Sequence, residues 1–117
     1  WRNPQNNNLW QGVNGVNNPC PSGYRLPTAI ELSNERTSWG GSNNRNAATA
    51  FASPLKFTVG GLRVKNDGTV FSNGLYGGYW SSDINGTNSN NLDIDSNNSS
   101  IGYHQRAYGL SVRCIKN

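Results

Sequence analysis

Several residue types are scarce in this 117-residue chain, and each scarcity excludes a class of protein. Hydrophobic residues make up 33% of the chain, and no stretch approaches the roughly 20 apolar residues of a membrane-spanning helix. With one His and two Cys, the chain lacks the ligands of a structural zinc site. Met is absent and the first residue is Trp1, so we expect a single domain, residues 1–117, excerpted or processed from a longer secreted protein.

Turn-forming and aromatic residues are abundant instead. The 14 Gly, 5 Pro and 20 Asn exclude long helices and coiled coils. Four Trp and five Tyr supply a small core, because a buried aromatic side chain removes about 150–250 Å² from water. The net charge is only +4 and the basic residues are scattered singly, so we expect no nucleic-acid partner.

The two cysteines, Cys20 and Cys114, lie near opposite ends of the chain. A bridge between them would close a loop of about 100 residues and, in the chain-entropy model, add about 4–5 kcal/mol of stability. The alternative is two unlinked buried thiols. We favour the disulfide because so small a core benefits from a covalent tie. A disulfide implies an oxidising location outside the cytoplasm.

The order of the sequence patterns predicts an α+β fold. Thr28 and Glu31 form a capping box, which predicts a helix over residues 29–37. A second short helix is predicted over 46–52, ended by Pro54. The first helix is expected to bury two residues, Ile30 and Leu32.

From residue 55 onward the pattern alternates with period two and predicts five or six antiparallel strands. An irregular edge strand, anchored by Trp1, Leu9 and Trp10, is also expected within residues 1–19. The segments that carry this strand pattern are 55–59, 62–65, 70–71 as the start of a return strand, 77–83, 92–95, 101–103 and 110–115.

Three blocks of the sequence, NPCPSGYRLPT at 18–28, YWSS at 79–82 and GLSVRCIK at 109–116, together resemble the Fibrobacter succinogenes major paralogous domain (FISUMP) family. Residues 18–28, NPCPSGYRLPT, followed by Glu31, resemble the opening block of that family. YWSS at 79–82 resembles its central block, and GLSVRCIK at 109–116 resembles its ending. One departure is Leu32, which stands where the family usually has Trp after the Glu.

The resemblance implies a C-type lectin-like fold with two short helices, small antiparallel sheets and long ordered loops. It implies a secreted or surface-exposed bacterial protein of Bacteroidetes-like organisms. Within such a fold, a Cys20–Cys114 bridge would tie the approach to the first helix to the last strand.

The calcium-dependent sugar site of C-type lectins needs a Glu-Pro-Asn or Gln-Pro-Asp tripeptide with a nearby Trp-Asn-Asp, and the sequence contains none of these. The remaining calcium candidates are Asp83, Asp93 and Asp95, with Asn carbonyls from 85–91. We favour the alternative, in which Asp93 and Asp95 are the solvent side of an alternating strand, and we expect no cofactor.

No catalytic residue is predicted. Asp93 and Asp95 on one strand would place carboxylates about 6–7 Å apart, near a glycosidase spacing, but no nearby Glu could act as the acid. His104 has no nucleophile-elbow motif to serve. We therefore expect that the chain is not an enzyme, and a hydrolase is the least favoured function.

Residues 72–108 mix tyrosines with Asn, Ser and Gly, a composition typical of adaptable binding surfaces. The alternative is that the tyrosines fill the core, as we expect for Tyr79 and Tyr108. The predicted ligand-binding residues are Tyr76, Asp83, Tyr103, His104 and Arg106. We predict an extracellular or bacterial cell-surface module for recognition or adhesion, which binds a glycan or a surface protein. The alternative is a structural subunit that self-associates into a surface filament or coat.

Overall fold

In a computed structural model of the chain, which describes residues 3–117, two short helices precede most of the strands. The helices are α1 (Ala29–Ser38) and α2 (Ala47–Ala52), separated by a 3-10 turn at Ser42–Asn44. The strands are β1 (Tyr24–Arg25), β2 (Leu62–Arg63), β3 (Val70–Phe71), β4 (Tyr76–Asn85), β5 (Asn88–Asp95), β6 (Ser99–Gln105) and β7 (Ile115–Lys116). They form the two-stranded sheets β1–β7 and β2–β3 and a three-stranded antiparallel sheet in the order β4–β5–β6. The α+β prediction is confirmed.

Helix α1 begins where the sequence predicts. The Thr28 hydroxyl accepts a hydrogen bond from the Glu31 N–H at 3.2 Å, and the Glu31 carboxylate accepts one from the Thr28 N–H at 2.8 Å, which confirms the capping box. Leu32 is buried as predicted, but Ile30 is 69% exposed, so that part of the prediction is wrong. Two residues along a helix are separated by about 200° around its axis, so only one of them can face the sheet.

The Glu31 carboxylate also binds the Arg25 guanidinium, whose Nη1 and Nη2 donate to its two oxygens at 2.8 and 2.7 Å. This hydrogen-bonded pair is the main reason that the pKa of Glu31 falls from 4.5 to about 2, and the hydrogen bonds from Thr28 add to it. Glu31 therefore joins β1 to the start of α1 through its ionised form.

Helix α2 also matches its predicted range. The Asn46 side chain accepts hydrogen bonds from the N–H groups of Ala48 and Thr49 at 3.1 and 3.2 Å, as an N-cap does. The helix ends at the C-cap Ser53, directly before Pro54. Because α2 has only six residues, its stability depends on packing Ala50, which is fully buried, against the core.

Two predicted strands do not form among residues 3–117. Residues 55–59 are irregular because Lys56 adopts a left-handed conformation with φ 53°, which breaks the alternation although Phe57 is still buried. Residues 3–19 form successive turns instead of an edge strand, and the Asn17 N–H donates to the Leu9 carbonyl at 2.9 Å. The predicted anchor Trp1 lies outside the described residues. The strands predicted at 62–65 and 110–115 are much shorter than expected.

The three-stranded sheet has an apolar side and a polar side. In β5, Leu92 and Ile94 are almost fully buried against the helices, and the alternation of a strand turns Asn91 and Asp93 to the other side. We call these the helix side and the polar side. By the strand register, the polar side carries Tyr76, Gly78 and Trp80 of β4, Asn91 and Asp93 of β5, and Gly102 and His104 of β6.

The core lies on the helix side. Its buried residues are Leu32, Trp39, Ala50, Phe57, Tyr79, Leu92 and Ile94. The Phe57 ring meets the Tyr79 ring edge to face, with centroids 4.7 Å apart, and the Tyr79 hydroxyl donates to the Thr58 carbonyl at 2.9 Å. Tyr79 is therefore a core residue as predicted, whereas Tyr108 is only half-buried.

Cys20 and Cys114 form a disulfide across 94 residues of sequence, as predicted. Beside the disulfide, β1 pairs with β7, with Arg25 opposite Ile115. The segment before α1 is thereby tied to the carboxyl-terminal strand, and the bridge is consistent with an oxidising compartment. Within residues 3–117, no helix has the length and apolar character needed to cross a membrane.

Candidate functional site

A groove of about 290 Å³ lies between residues 5–17 and the ends of β4 and β5. The groove is lined by aromatic, aliphatic, amide and hydroxyl residues and one arginine: Trp10, Trp80, Leu9, Ile84, Gln5, Asn6, Asn7, Gln11, Asn17, Ser81, Ser82, Ser89 and Arg106. Among the described residues that line the groove there is no carboxylate. The groove therefore combines aromatic surface, neutral hydrogen-bonding groups and one positive charge.

The Gln11 side chain positions the amino-terminal wall of the groove. Its Nε2 donates to the Ser82 carbonyl at 2.6 Å, and its Oε1 accepts from the Trp10 N–H at 3.0 Å. These two bonds hold Trp10 beside β4. Trp10 is half-buried, whereas Trp80 is only 4% exposed, so Trp10 supplies the accessible aromatic surface.

Arg106 also lines the groove and is held across the turn between β4 and β5. Its Nε donates to the Asn88 carbonyl at 3.2 Å and its Nη2 to the Gly86 carbonyl at 3.1 Å. Within residues 3–117, Nη1 has no hydrogen-bond partner. The guanidinium is therefore fixed in position and still has donors for a ligand.

A second group of polar residues, the Tyr76–Asp93–His104 cluster, crosses the polar side of the sheet. Tyr76 hydroxyl and Asn91 amide both donate to Asp93 Oδ1. His104 Nε2 lies 3.5 Å from the same oxygen and 3.2 Å from the Tyr76 hydroxyl. Burial, and then the bond to Asp93, raise the pKa of the Tyr76 phenol because both oppose the phenolate form.

The cluster depends on a glycine in the neighbouring strand. A Cβ on Gly102 would lie 2.6 Å from Asp93 Oδ2, which real structures do not tolerate, so the carboxylate occupies the space that a side chain would take. Asn91 is fully buried, and its Oδ1 has no hydrogen-bond partner among the described residues. The cluster is thus closely packed around Asp93.

The contacts of the cluster are those that join strands. Tyr76, Asp93 and His104 come from β4, β5 and β6, one from each. In the part of the chain that the structure describes, His104 has no hydrogen bond to a serine, and the raised pKa keeps the Tyr76 phenol protonated. These contacts therefore do not place a serine or tyrosine nucleophile beside a base that would activate it for acyl transfer.

The five predicted ligand-binding residues do not share one site. Arg106 lines the groove, and Tyr76 and His104 belong to the cluster. The Asp83 carboxylate accepts the N–H of Ala29 at 2.6 Å, which stabilises the first turn of α1, and Tyr103 is 60% exposed in β6 on the helix side.

The three calcium candidates likewise have separate partners. Asp83 binds the start of α1, Asp93 belongs to the cluster, and Asp95 accepts the N–H groups of Asn97 and Asn98 at 2.7 and 2.8 Å. Within residues 3–117, no three His, Cys, Asp or Glu side chains come together as a metal site would require.

Sequence reasoning missed the amino-terminal wall of the groove. Trp10 was expected only to anchor a strand, and no local pattern in residues 3–19 indicates that it would line a groove beside β4. Comparisons of the chain with protein-family models, curated proteins and solved structures find no significant match. Function must therefore be inferred from the geometry of the groove and of the sheet.

Proposed function

We propose that the chain is a non-enzymatic extracellular recognition module that binds a carbohydrate in the groove. The supporting observation is the position of Trp10 beside amide groups and Arg106 in one concave surface. An aromatic ring packs against the C–H face of a sugar, while amide and guanidinium groups bind its hydroxyls. A volume of about 290 Å³ is at the lower end for ligand sites and suits a small ligand such as the end of a saccharide chain.

The charge of the groove favours an acidic sugar. Arg106 is the charged residue among the described lining groups, and the chain carries a net charge of +4. The carboxylate of a uronic acid can accept a charge-assisted hydrogen bond from the free Nη1 of Arg106. The positive charge of Arg106 would instead repel the ammonium group of an amino sugar. We therefore expect acidic saccharides to bind more tightly than neutral ones.

For the fold, we propose the C-type lectin-like arrangement and membership in the FISUMP family. Three features support this: the Cys20–Cys114 bridge, the β1–β7 pair that brings the ends of the chain together, and the long irregular segments between the short elements. The disulfide and the family resemblance also support an extracellular or bacterial cell-surface location.

The test is a glycan array followed by calorimetry on the saccharides retained. Trp10→Ala should weaken binding about tenfold, since loss of one aromatic contact costs about 1.4 kcal/mol. Phe71→Ala is the matched control, because it removes an aromatic ring that is 62% exposed in β3, outside the groove, and should leave the affinity unchanged. Folded protein that retains no saccharide would overturn the proposal.

The charge preference has its own test. Arg106→Gln should lower the affinity for an acidic saccharide about tenfold and change the affinity for its neutral analogue little. Arg113→Gln, at an exposed position away from the groove, removes the same charge and controls for the net charge of the chain. Equal losses in the two arginine variants would contradict a direct contact with Arg106.

A further inference from the structure

We propose that the free edge of β6 pairs with β6 of a second copy of the chain, in antiparallel orientation, to form a two-fold symmetric dimer. The two three-stranded sheets would then form one continuous six-stranded sheet. The inference rests on the backbone of β6 and does not depend on what the groove binds.

Arg36 covers the edge of β6 at Ser99, and beyond that residue the edge lacks the features that protect edge strands. Its sequence, SSIGYHQ, contains no Lys, Arg, Asp, Glu or Pro, and its pairing with β5 runs without a bulge from Ser99 to Gln105. Natural proteins use those residues and bulges to prevent pairing between edges. The outer edge of β4 is instead covered, by bridges from Gly61 and Ser111.

The hydrogen-bond pattern shows which backbone groups of β6 point outward. In the turn before β6, the Asp95 N–H donates to the Asn98 carbonyl at 2.9 Å, so that pair is a hydrogen-bonded one. Hydrogen-bonded and non-hydrogen-bonded pairs alternate along an antiparallel ladder, so Ser99, Ile101 and Tyr103 direct their N–H and C=O groups away from β5. The Ser99 carbonyl accepts a hydrogen bond from Arg36 Nε at 2.9 Å, which shows that it points away from β5 as this pattern requires.

The outward groups of Ile101 and Tyr103 are free for a second strand. Within residues 3–117 their N–H and C=O groups have no partner outside the sheet. Tyr103 is also 60% exposed, so its ring has little cover in the single chain. The unpaired backbone and the exposed ring thus occur at the same place.

The β6 sequence is complementary to itself about Gly102. When two copies meet with Gly102 opposite Gly102, Ile101 of each copy lies opposite Tyr103 of the other. The backbone N–H and C=O groups that point away from β5 then face each other, and each Ile101–Tyr103 pair forms two hydrogen bonds. Ile101 and Tyr103 share the helix side, so each aromatic ring would cover an aliphatic side chain of the other copy. Because both copies use the same surface, the contact closes as a dimer and does not propagate into a filament.

The interface is one strand long, so we expect weak association with a Kd of about 10⁻⁴ M. Sedimentation of the oxidised chain, without saccharide, from about 10 μM to about 1 mM should show the mass rising from 12.7 kDa toward twice that value. A monomer throughout this range would overturn the proposal. Large polymers would overturn it as well, because this contact closes.

Tyr103→Lys should raise the Kd at least tenfold, since a lysine at an edge opposes strand pairing. Val70→Lys is the matched control, because it places the same charge on another exposed strand residue, 57% exposed in β3, away from β6. Dimerisation that survives Tyr103→Lys, or that is lost only with Val70→Lys, would overturn the assignment to β6.

Cysteine cross-linking tests the register. An equal mixture of the Ile101→Cys and Tyr103→Cys variants should form an intermolecular disulfide, because Cα atoms of a hydrogen-bonded antiparallel pair lie about 5.5 Å apart. Each variant alone should cross-link much less. Cross-linking of Tyr103→Cys alone at the level of the mixture would overturn the register. Ile101 contacts the core, and if Ile101→Cys does not fold, the Tyr103→Lys comparison still decides.

Discussion

The two sides of the three-stranded sheet are held in different ways. On the helix side, Leu92 and Ile94 are buried by non-directional apolar contact with the helices α1 and α2. On the polar side, Asp93 gathers specific hydrogen bonds, and the cover comes from irregular segments at both ends of the chain. The helix side therefore supplies most of the stability, whereas the polar side carries the groove and the positions that recognition would use.

The largest expected effect comes from freeing the end segments that cover the polar side. Cys20→Ser combined with Cys114→Ser should lower the free energy of unfolding by about 4 kcal/mol, because the loop spans 94 residues. Denaturant titration measures the loss, and hydrogen exchange should show residues 106–117 opening before β5. A loss below about 1 kcal/mol, or simultaneous opening everywhere, would remove the distinction between the two sides.

Truncation on β5 compares the sides directly. Leu92→Ala should cost about 3 kcal/mol, because it leaves a cavity in the core. Asn91→Ala, at the next residue on the polar side, should cost about 1 kcal/mol, since its Oδ1 has no partner among the described residues. Thermal unfolding of both variants checks the order, and a larger loss for Asn91→Ala would reverse our interpretation of the sheet.

Removal of the carboxylate at the centre of the cluster should cost about 2 kcal/mol. Asp93→Ala leaves the Tyr76 hydroxyl and the Asn91 amide without their acceptor. In a Tyr76→Phe background the same change should cost less, and a double-mutant cycle by denaturant unfolding measures this coupling. Asp67→Ala, which removes a carboxylate at an exposed turn, is the control. If the effects of Tyr76→Phe and Asp93→Ala were additive, the two residues of the cluster would not be energetically coupled.

The smallest effect depends on pH. Glu31→Gln should lower stability by about 1 kcal/mol at pH 7, through the loss of the ion pair and of part of the cap. The folded-state pKa of Glu31 is lowered to about 2, so the stabilisation is complete above 4.5 and is lost as the pH falls from 4.5 toward 2. Unfolding measured from pH 7 to pH 2 should show the two proteins converging. If the free energies of unfolding of the two proteins still differed as much at pH 2, the Glu31 carboxylate would stabilise the fold by packing alone.

The helix side could be predicted from sequence because its signals are local. The Thr28–Glu31 cap fixes the start of α1, and the alternation of Leu92 and Ile94 fixes the inner face of β5. The prediction for Ile30 was wrong because apolarity alone does not give the helix phase. The strand predicted at 55–59 was wrong because the left-handed residue Lys56 carries no sequence signal such as Gly or Asn.

The polar side could not be predicted because its partners are distant in sequence. Gln11 binds Ser82 across 71 residues, and Tyr76 meets His104 across 28. No local pattern encodes such pairings. The Tyr-rich composition of 72–108 identified a polar region but did not show that Arg106 would line a groove with Trp10 while Tyr76 and His104 would lie beside Asp93.

The bridge between Cys20 and Cys114 encloses the turns of residues 21–113, whereas the turns of residues 3–19 lie outside it. A single cut in the exposed turn at 65–67, for example, would give two peptides that stay covalently joined and keep their strands at high local concentration. A nicked molecule should therefore migrate as one band until a reductant is added. A domain that stays joined after one cleavage within this loop would remain folded for longer in the presence of secreted proteases.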